Sequence, residues 1–174
     1  MRELSGRRAH NGGVKILVVD DHLQDEDAQD LFKATLTSLP RSDYRNFSEE
    51  RFRNMVNSRV VQAGFELEFA FDGDEAFARY RQQGRPYDLV LTDLYHPGMN
   101  GVEFARAIRR ENPAQAIAMF TFGFSLGPFL EALWQLNISV ADKFDGREAL
   151  PRLVEDALTR NRERLAERLP STVQ

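Results

Sequence analysis

The sequence predicts an α/β protein built on a parallel sheet. Five short apolar segments alternate with segments of helical periodicity, and most of the apolar segments end on polar residues. Nearly unbroken apolar segments are typical of strands buried on both faces, and strand–helix alternation favours parallel pairing through right-handed crossovers. The predicted strands are 14–20, 67–71, 88–93, 116–122 and 138–144, and the predicted helices are 23–39, 73–83, 101–111, 126–136 and 147–168.

Length and composition indicate one globular domain. The chain has 174 residues, of which 42% are hydrophobic and 29% charged. A formal net charge of -4 argues against nonspecific binding to nucleic acid or to an anionic membrane. The absence of cysteine excludes disulfides and thiolate metal sites and fits a reducing compartment. We therefore expect a cytoplasmic protein with no membrane segment and no direct contact with nucleic acid.

The chain divides into a flexible N-terminal tail (1–13), a main domain (14–146), and an extended final helix with a short tail (147–174). The first crossover is unusually long, with an insertion at about 40–65. Pro40 should end or bend the first helix. Ser48 is a suitable N-cap for an additional helix that Gly64 ends. We expect its apolar stripe to pack on the domain itself, and a homodimer or partner contact is the alternative.

The chemistry-bearing residues lie where the predicted strands end. These residues are Asp20 and Asp21 from the first strand, Asp93 from the third, Thr121 from the fourth and Lys143 from the fifth. The carboxyl ends of strands in an open parallel sheet form the usual ligand crevice. Clustered carboxylates repel unless a cation lies among them, and a small set of oxygen ligands suits Mg²⁺. Asp93 is also an eligible nucleophile for an aspartyl phosphate, so the residues predict a Mg²⁺-dependent phosphoaspartate site.

Each of these residues also has an ordinary structural explanation. Asp20 and Asp21 precede an acidic first helical turn, which suits the positive end of a helix dipole. Thr121 is a normal strand residue, and Lys143 could lie on the surface. Their joint occurrence at four strand ends favours the functional interpretation.

Two histidines and the single tryptophan are assigned no ligand role. His22 and His96 lack the short helical spacing of a zinc motif, so we predict solvent-facing loop residues. Trp134 lies in the apolar segment LEALWQL and is predicted to be a packed or half-packed helix residue.

Four motifs together resemble the receiver domain of two-component response regulators. They are KILVVDDH, DLYHPGMNG, AMFTFG and VADKF, each at a strand end. The resemblance extends from about Val14 to Leu158 and is interrupted by the insertion. It implies a flavodoxin-like sheet of order 2-1-3-4-5 with helices on both faces.

The resemblance implies roles for the acidic residues. Asp93 would accept a phosphoryl group from a histidine kinase, a phosphotransfer protein or a small phosphodonor. Mg²⁺ would be bound by Asp93, directly by Asp21, mostly through water by Asp20, and by the backbone carbonyl of Tyr95.

It also implies roles for residues around the acceptor. Thr121 would donate a hydrogen bond to one phosphoryl oxygen, and Lys143 would pair with another. Pro97 and Gly101 would shape the turn that follows Asp93, with Gly101 opening the third helix.

Three positions depart from the family pattern. Val140 replaces the Tyr or Phe that many receivers carry, so a ring-rotation switch is not available there. Phe122 stands beside the acceptor, where small residues are common, and predicts a long-lived phosphorylated state. Phe144 follows Lys143 in place of a cis proline, so we expect a trans bond and a looser pairing of Lys143 with Asp93.

The sequence thus predicts a phosphorylation-controlled switch whose output is binding to a downstream protein or effector. It is either a stand-alone receiver or the receiver of a larger regulator. A degenerate receiver that binds partners without phosphorylation is one alternative. A Mg²⁺-dependent phosphohydrolase is another, but Tyr95 occupies the position where a second acid/base carboxylate is expected.

Overall fold

A computed structural model describes residues 13–37, 64–123, 126–146 and 148–167. Most of the predicted N-terminal tail lies outside these ranges. The helix predicted for the insertion also lies outside them, because residues 38–63 are not described. That helix stays a prediction.

A five-stranded parallel sheet forms the centre of the protein. Its order is β2-β1-β3-β4-β5, which confirms the predicted fold class and strand order. The strands are β1 (Val14–Val19), β2 (Phe65–Ala70), β3 (Leu89–Thr92), β4 (Ile117–Thr121) and β5 (Ser139–Asp142).

Helices connect the strands, and the third helix begins at Gly101 as predicted. The helices in the described residues are α1 (Glu26–Thr37), α2 (Gly73–Gln82), α3 (Gly101–Glu111), α4 (Leu130–Gln135) and α5 (Ala149–Glu167). In the same part of the chain, short 3₁₀ turns cover Asp21–Leu23, Gly127–Phe129 and Lys143–Asp145. No helix within the described ranges is both long and apolar enough to cross a membrane.

The end of the fifth strand differs from the prediction. The predicted strand extended to residue 144, whereas β5 ends at Asp142 and Lys143 begins a 3₁₀ turn. The Asp142 carboxylate accepts a hydrogen bond from the backbone N–H of Phe144 at 2.9 Å, which caps this turn. A side chain that caps a turn competes with strand pairing. Hydrophobic periodicity does not reveal that competition, so the predicted strand was too long.

Two hydrophobic cores cover the two faces of the sheet. Successive strand residues point to opposite faces, so Leu17 and Val19 belong to one core and Ile16 and Val18 to the other. The first core is completed by α2, α3 and α4, and the second by α1 and α5. This arrangement leaves the carboxyl ends of the strands free to carry polar groups.

The edge strand β2 is only partly buried, unlike the fully buried β1 and β3. It pairs with β1 alone, and alternating glutamates face outward. The buried Lys15 of β1 lies 2.7 Å from Glu68, and the Tyr87 hydroxyl donates to the same carboxylate. The hydrogen bond from Lys15 is the main reason that the pKa of Glu68 is lowered. This ion pair stabilises the pairing of β2 with β1 at a sheet edge where few side chains are buried.

Trp134 is not packed, so that prediction is wrong. Its side chain is 83% exposed, and Leu130, one turn earlier on α4, is 59% exposed. Leu133 instead faces the core and is 3% exposed. Because α4 has only six residues, it buries a narrow stripe and leaves its other apolar side chains on the outer face.

Candidate functional site

Backbone pairing places Asp20 and Asp93 side by side at the carboxyl edge of the sheet. The N–H of Asp20 donates to the carbonyl of Ala70 at 3.1 Å, which extends the ladder between β1 and β2. The N–H of Asp93 donates to the carbonyl of Val19 at 2.8 Å, which does the same between β3 and β1. Both aspartates are buried. Sheet register thus determines the position of the acidic centre.

Lys143 connects these two carboxylates. Its Nζ lies 2.8 Å from Oδ2 of Asp20 and 2.5 Å from Oδ2 of Asp93. The peptide bond before Phe144 is trans, as predicted. The predicted loosening of the pair between Lys143 and Asp93 is wrong, because the 3₁₀ turn directs the ammonium into the site without a cis bond.

The charge of Lys143 is stabilised by its position. Burial on its own would lower the pKa of the ammonium. The attraction and hydrogen bonds of Asp20 and Asp93 outweigh that effect, and the net pKa of Lys143 is raised. Lys143 is therefore a permanent cation at neutral pH.

The carboxylates of the site fit a divalent cation. Besides Lys143, Asp93 accepts a hydrogen bond from the N–H of Leu94 at 2.6 Å. Oδ1 of Asp21 is buried and has no hydrogen-bond partner among the described residues. Three carboxylates face one ammonium, and a buried carboxylate oxygen without a donor is costly unless a cation approaches it. A divalent ion would balance the remaining negative charge.

His22 also reaches the acidic centre. Ligand atoms of Asp20, His22 and Asp93 all lie within 4.8 Å of one another. The His22 side chain is 71% exposed, which confirms the predicted solvent-facing position. Its proximity to the carboxylates was not predicted. The three side chains come from different elements, whereas the search for a zinc motif considered only histidines spaced along one helix.

His96 differs from its prediction. It is half-buried rather than solvent-facing, and its Nε2 lies 3.1 Å from the Thr92 hydroxyl. That hydroxyl donates to the carbonyl of Asp93 at 2.7 Å. His96 thus supports the backbone around Asp93.

The turn after Asp93 is fixed by backbone contacts with two helices. The carbonyl of Pro97 accepts a hydrogen bond from the N–H of Gly73 at 2.8 Å, at the start of α2. At the start of α3, Asn100 and Glu103 form a reciprocal capping box. The loop is therefore held at both ends.

Gly101 lies directly against the backbone of Asp93 and Leu94. Its N–H donates to the carbonyl of Leu94 at 2.8 Å. A Cβ atom at this position would collide with the carbonyl oxygen of Asp93. Only glycine allows α3 to begin so close to Asp93.

Tyr95 connects the loop after Asp93 with the region before α4. Its ring makes an edge contact with Phe129, with centroids 6.3 Å apart. Phe129 and Val140 both pack against the core on the α4 side of the sheet. The residue two positions after Asp93 is thus an exposed tyrosine whose ring contacts Phe129.

Aromatic residues stand beside Lys143. Thr121 ends β4 and is buried, and Phe122 follows it. The rings of Phe122 and Phe144 are 4.8 Å apart, and Nζ of Lys143 lies 5.4 Å from the Phe122 ring centroid. The contact between Phe122 and Phe144 was not predicted from the sequence, since two loops from different strands create it.

Comparison with protein families matches residues 48–139 to the response regulator receiver domain. The match covers more than half of the chain and includes Asp93 and Thr121. The chain therefore belongs to the response regulator receiver domain family. Asp20, Asp21 and Lys143 lie outside the matched residues, and the fold is what brings Asp20 and Lys143 to Asp93.

Individual relatives agree with this assignment. The chain is 37% identical over 73 residues to the transcriptional regulatory protein ResD of Bacillus subtilis, a region that covers 42% of this chain and 29% of ResD. The signal receiver domain of an HD domain-containing protein from Pseudomonas fluorescens superposes with a TM-score of 0.63 at 20% identity, covering 95% of this chain and 100% of that one. The response regulator TrrA of Thermotoga maritima, solved in complex with Mg²⁺ and BeF, superposes with a TM-score of 0.54 at 24% identity, covering 83% and 98%. The chain spans less than a third of the length of ResD.

Proposed function

We propose that Asp93 accepts a phosphoryl group in the presence of Mg²⁺ and that the protein is a phosphorylation-controlled switch. The observation that carries the proposal is the buried arrangement of Asp93, Lys143 and Asp20 at the carboxyl edge of the sheet. The site joins a nucleophilic carboxylate, a fixed cation and further carboxylates that fit a metal. Family membership supports the same function.

The proposed reaction is transfer of a phosphoryl group to the Asp93 carboxylate. One carboxylate oxygen forms a bond to phosphorus while the bond between phosphorus and the donor nitrogen or oxygen breaks. The electron pair of the broken bond leaves with the donor. The donor is a histidine kinase, a phosphotransfer protein or a small acyl phosphate.

The carboxylates of Asp20, Asp21 and Asp93 would hold Mg²⁺ together with the backbone carbonyl of Tyr95. The ion would neutralise charge on the transferred phosphoryl group. The buried Oδ1 of Asp21, which has no hydrogen-bond partner in the described part of the chain, supports its assignment as a ligand.

Lys143 and Thr121 would bind the phosphoryl group once it is on Asp93. Lys143 already contacts Oδ2 of Asp93, so a small movement suffices for its ammonium to reach a phosphoryl oxygen. Thr121 lies on the strand adjacent to β3, and its hydroxyl would donate to another oxygen. Phosphorylation thereby changes the position of the loop that begins at Phe122.

The output is a change in partner binding through the surface formed by β4, α4, β5 and α5. The Tyr95 contact with Phe129 gives the acceptor loop a packed connection to α4. Val140 packs against the same core, so the switch uses loop movement rather than rotation of a ring at position 140. The partner is a downstream protein, an effector or a second copy of this chain.

Intact mass after incubation with acetyl phosphate and Mg²⁺ tests the proposal. We expect one phosphoryl adduct on the wild type, and none after Asp93→Ala or after chelation of the metal. Asp145→Ala is the matched control, because Asp145 is an exposed aspartate in the turn after β5 and should not affect the adduct. Absence of an adduct on the folded wild type would overturn the proposal and support a receiver that binds its partner without phosphorylation.

A further inference from the structure

The 3₁₀ turn after β1 brings a nitrogen ligand to the carboxylate site. The backbone N–H of His22 donates to Oδ1 of Asp20 at 2.9 Å, which fixes the start of the side chain. Nδ1 of the same residue lies 3.2 Å from that oxygen and 3.1 Å from Oδ1 of Asp21. The imidazole is therefore directed toward the carboxylates that fit a metal.

Two features distinguish this arrangement from an ordinary surface contact between histidine and aspartate. First, His22, Asp20 and Asp93 present ligand atoms within 4.8 Å of one another, which is close enough to share one ion. Second, Oδ1 of Asp21 is buried without a hydrogen-bond partner among the described residues, although Nδ1 of His22 is close to it. The short distance thus lacks the geometry of a hydrogen bond, and a cation between these groups would satisfy both atoms.

We propose that His22 is an additional ligand of the cation at this site, which makes the site selective for divalent first-row transition ions over Mg²⁺. This inference rests on the metal site of the proposed function and concerns its ion preference. Carboxylate and carbonyl oxygens suit Mg²⁺, whereas imidazole suits transition ions. Neutral imidazole binds through a ring nitrogen, and Nδ1 is the ligand atom because it lies nearest to the carboxylates of Asp20 and Asp21.

The exposure of His22 makes binding feasible. A side chain that is 71% exposed loses little hydration when its ring turns by a small angle to meet an ion. Lys143 contacts Oδ2 of both Asp20 and Asp93. Oδ1 of Asp20 accepts the backbone N–H of His22, and Oδ1 of Asp93 accepts the backbone N–H of Leu94, so each oxygen retains a lone pair for an ion when Nδ1 of His22 is unprotonated.

Mn²⁺ binding gives a direct test that does not depend on phosphorylation. Pulsed electron paramagnetic resonance on Mn²⁺ bound to the full chain detects coupling to a ligand nitrogen. We expect this coupling in the wild type and its loss in His22→Ala. The matched control is His96→Gln, since His96 is near the site but contacts Thr92, and the coupling should persist in it. Loss of the coupling in His96→Gln, or its absence from the wild type with Mn²⁺ bound, would overturn the inference.

Calorimetric titration with Mn²⁺ and with Mg²⁺ measures the selectivity. His22→Ala should weaken Mn²⁺ binding about tenfold or more while changing the Mg²⁺ affinity much less. Equal weakening of both ions would show that His22 acts only through general electrostatics, and the inference would fail. The proposed function fails separately if acetyl phosphate leaves no adduct on Asp93 even though the nitrogen coupling is present.

Discussion

Nζ of Lys143 lies 2.5 Å from Oδ2 of Asp93, although a trans bond and Phe144 follow it in place of the proline that many receivers carry. The Asp142 carboxylate caps the turn that starts at Lys143, and this cap positions the ammonium. The pair with Asp93 thus depends on the capped turn and not on a cis peptide bond. The ammonium of Lys143 also counteracts the repulsion between the buried carboxylates of Asp20 and Asp93.

Replacing Lys143 should destabilise the fold in a pH-dependent way. Lys143→Met leaves Asp20 and Asp93 without their shared cation, so we expect a loss of about 3 kcal/mol in the free energy of unfolding at neutral pH. The folded-state pKa of Lys143 is raised, because Asp20 and Asp93 outweigh the effect of burial. Its stabilising contribution is therefore present below the unfolded pKa of about 10.4 and is lost as pH rises through the folded value.

Denaturant unfolding of both proteins between about pH 9 and 11.5 measures this difference. The wild type should lose stability more steeply than Lys143→Met over that range. Lys33→Met is the control, because Lys33 forms an exposed ion pair with Asp30. This replacement should change the free energy of unfolding by less than about 0.5 kcal/mol. Equal pH slopes for wild type and Lys143→Met would contradict the prediction.

Gly101→Ala should destabilise the protein and slow phosphorylation of Asp93. The added methyl would meet the Asp93 carbonyl, and relieving such overpacking costs about 1–3 kcal/mol. Gly84→Ala is a matched control, since a Cβ at Gly84 has nothing within 4 Å. Chemical denaturation and the rate of adduct formation provide the two measurements. A Gly101→Ala protein as stable as Gly84→Ala would show that the contact is not tight.

Phe122→Ala should shorten the lifetime of the phosphorylated state. Phe122 contacts Phe144 and lies beside Lys143, so removing its ring opens the approach of water to Asp93. We expect decay of radiolabelled phosphate to accelerate about three- to tenfold, which corresponds to a barrier change on the order of 1 kcal/mol. Phe144→Ala should act in the same direction, whereas Trp134→Ala, which removes a distant exposed ring, should not. Unchanged decay in Phe122→Ala would remove the basis for a long-lived state.

Tyr95→Ala should weaken the transmission of phosphorylation to α4. Trp134 is the single tryptophan of the chain and is exposed on α4, so its emission reports changes there. We expect acetyl phosphate and Mg²⁺ to alter this emission in the wild type and to alter it less in Tyr95→Ala, which loses the contact with Phe129. Leu31→Ala, an exposed change on α1, is the control. An undiminished response in Tyr95→Ala would exclude this contact as the connection.

The sheet was predictable because its determinants are local. Buried parallel strands require apolar segments. The segments around Val18 and Val90 are short and apolar, which favours a buried strand over a helix or a loop. The ends of the strands were less certain. Asp142 could pair in a strand or cap a turn, and its interaction with the N–H of Phe144 is visible only in the folded chain.

The sequence by itself determined the order of strands and helices and the residues that meet at the carboxyl edge of the sheet. It did so because burial periodicity and strand ends are properties of consecutive residues. The tertiary structure decided the partners of these residues: Lys143 between two aspartates, His22 beside them, and Phe122 against Phe144. Such contacts join side chains from separate loops, and their geometry depends on how turns and rotamers fit together in three dimensions.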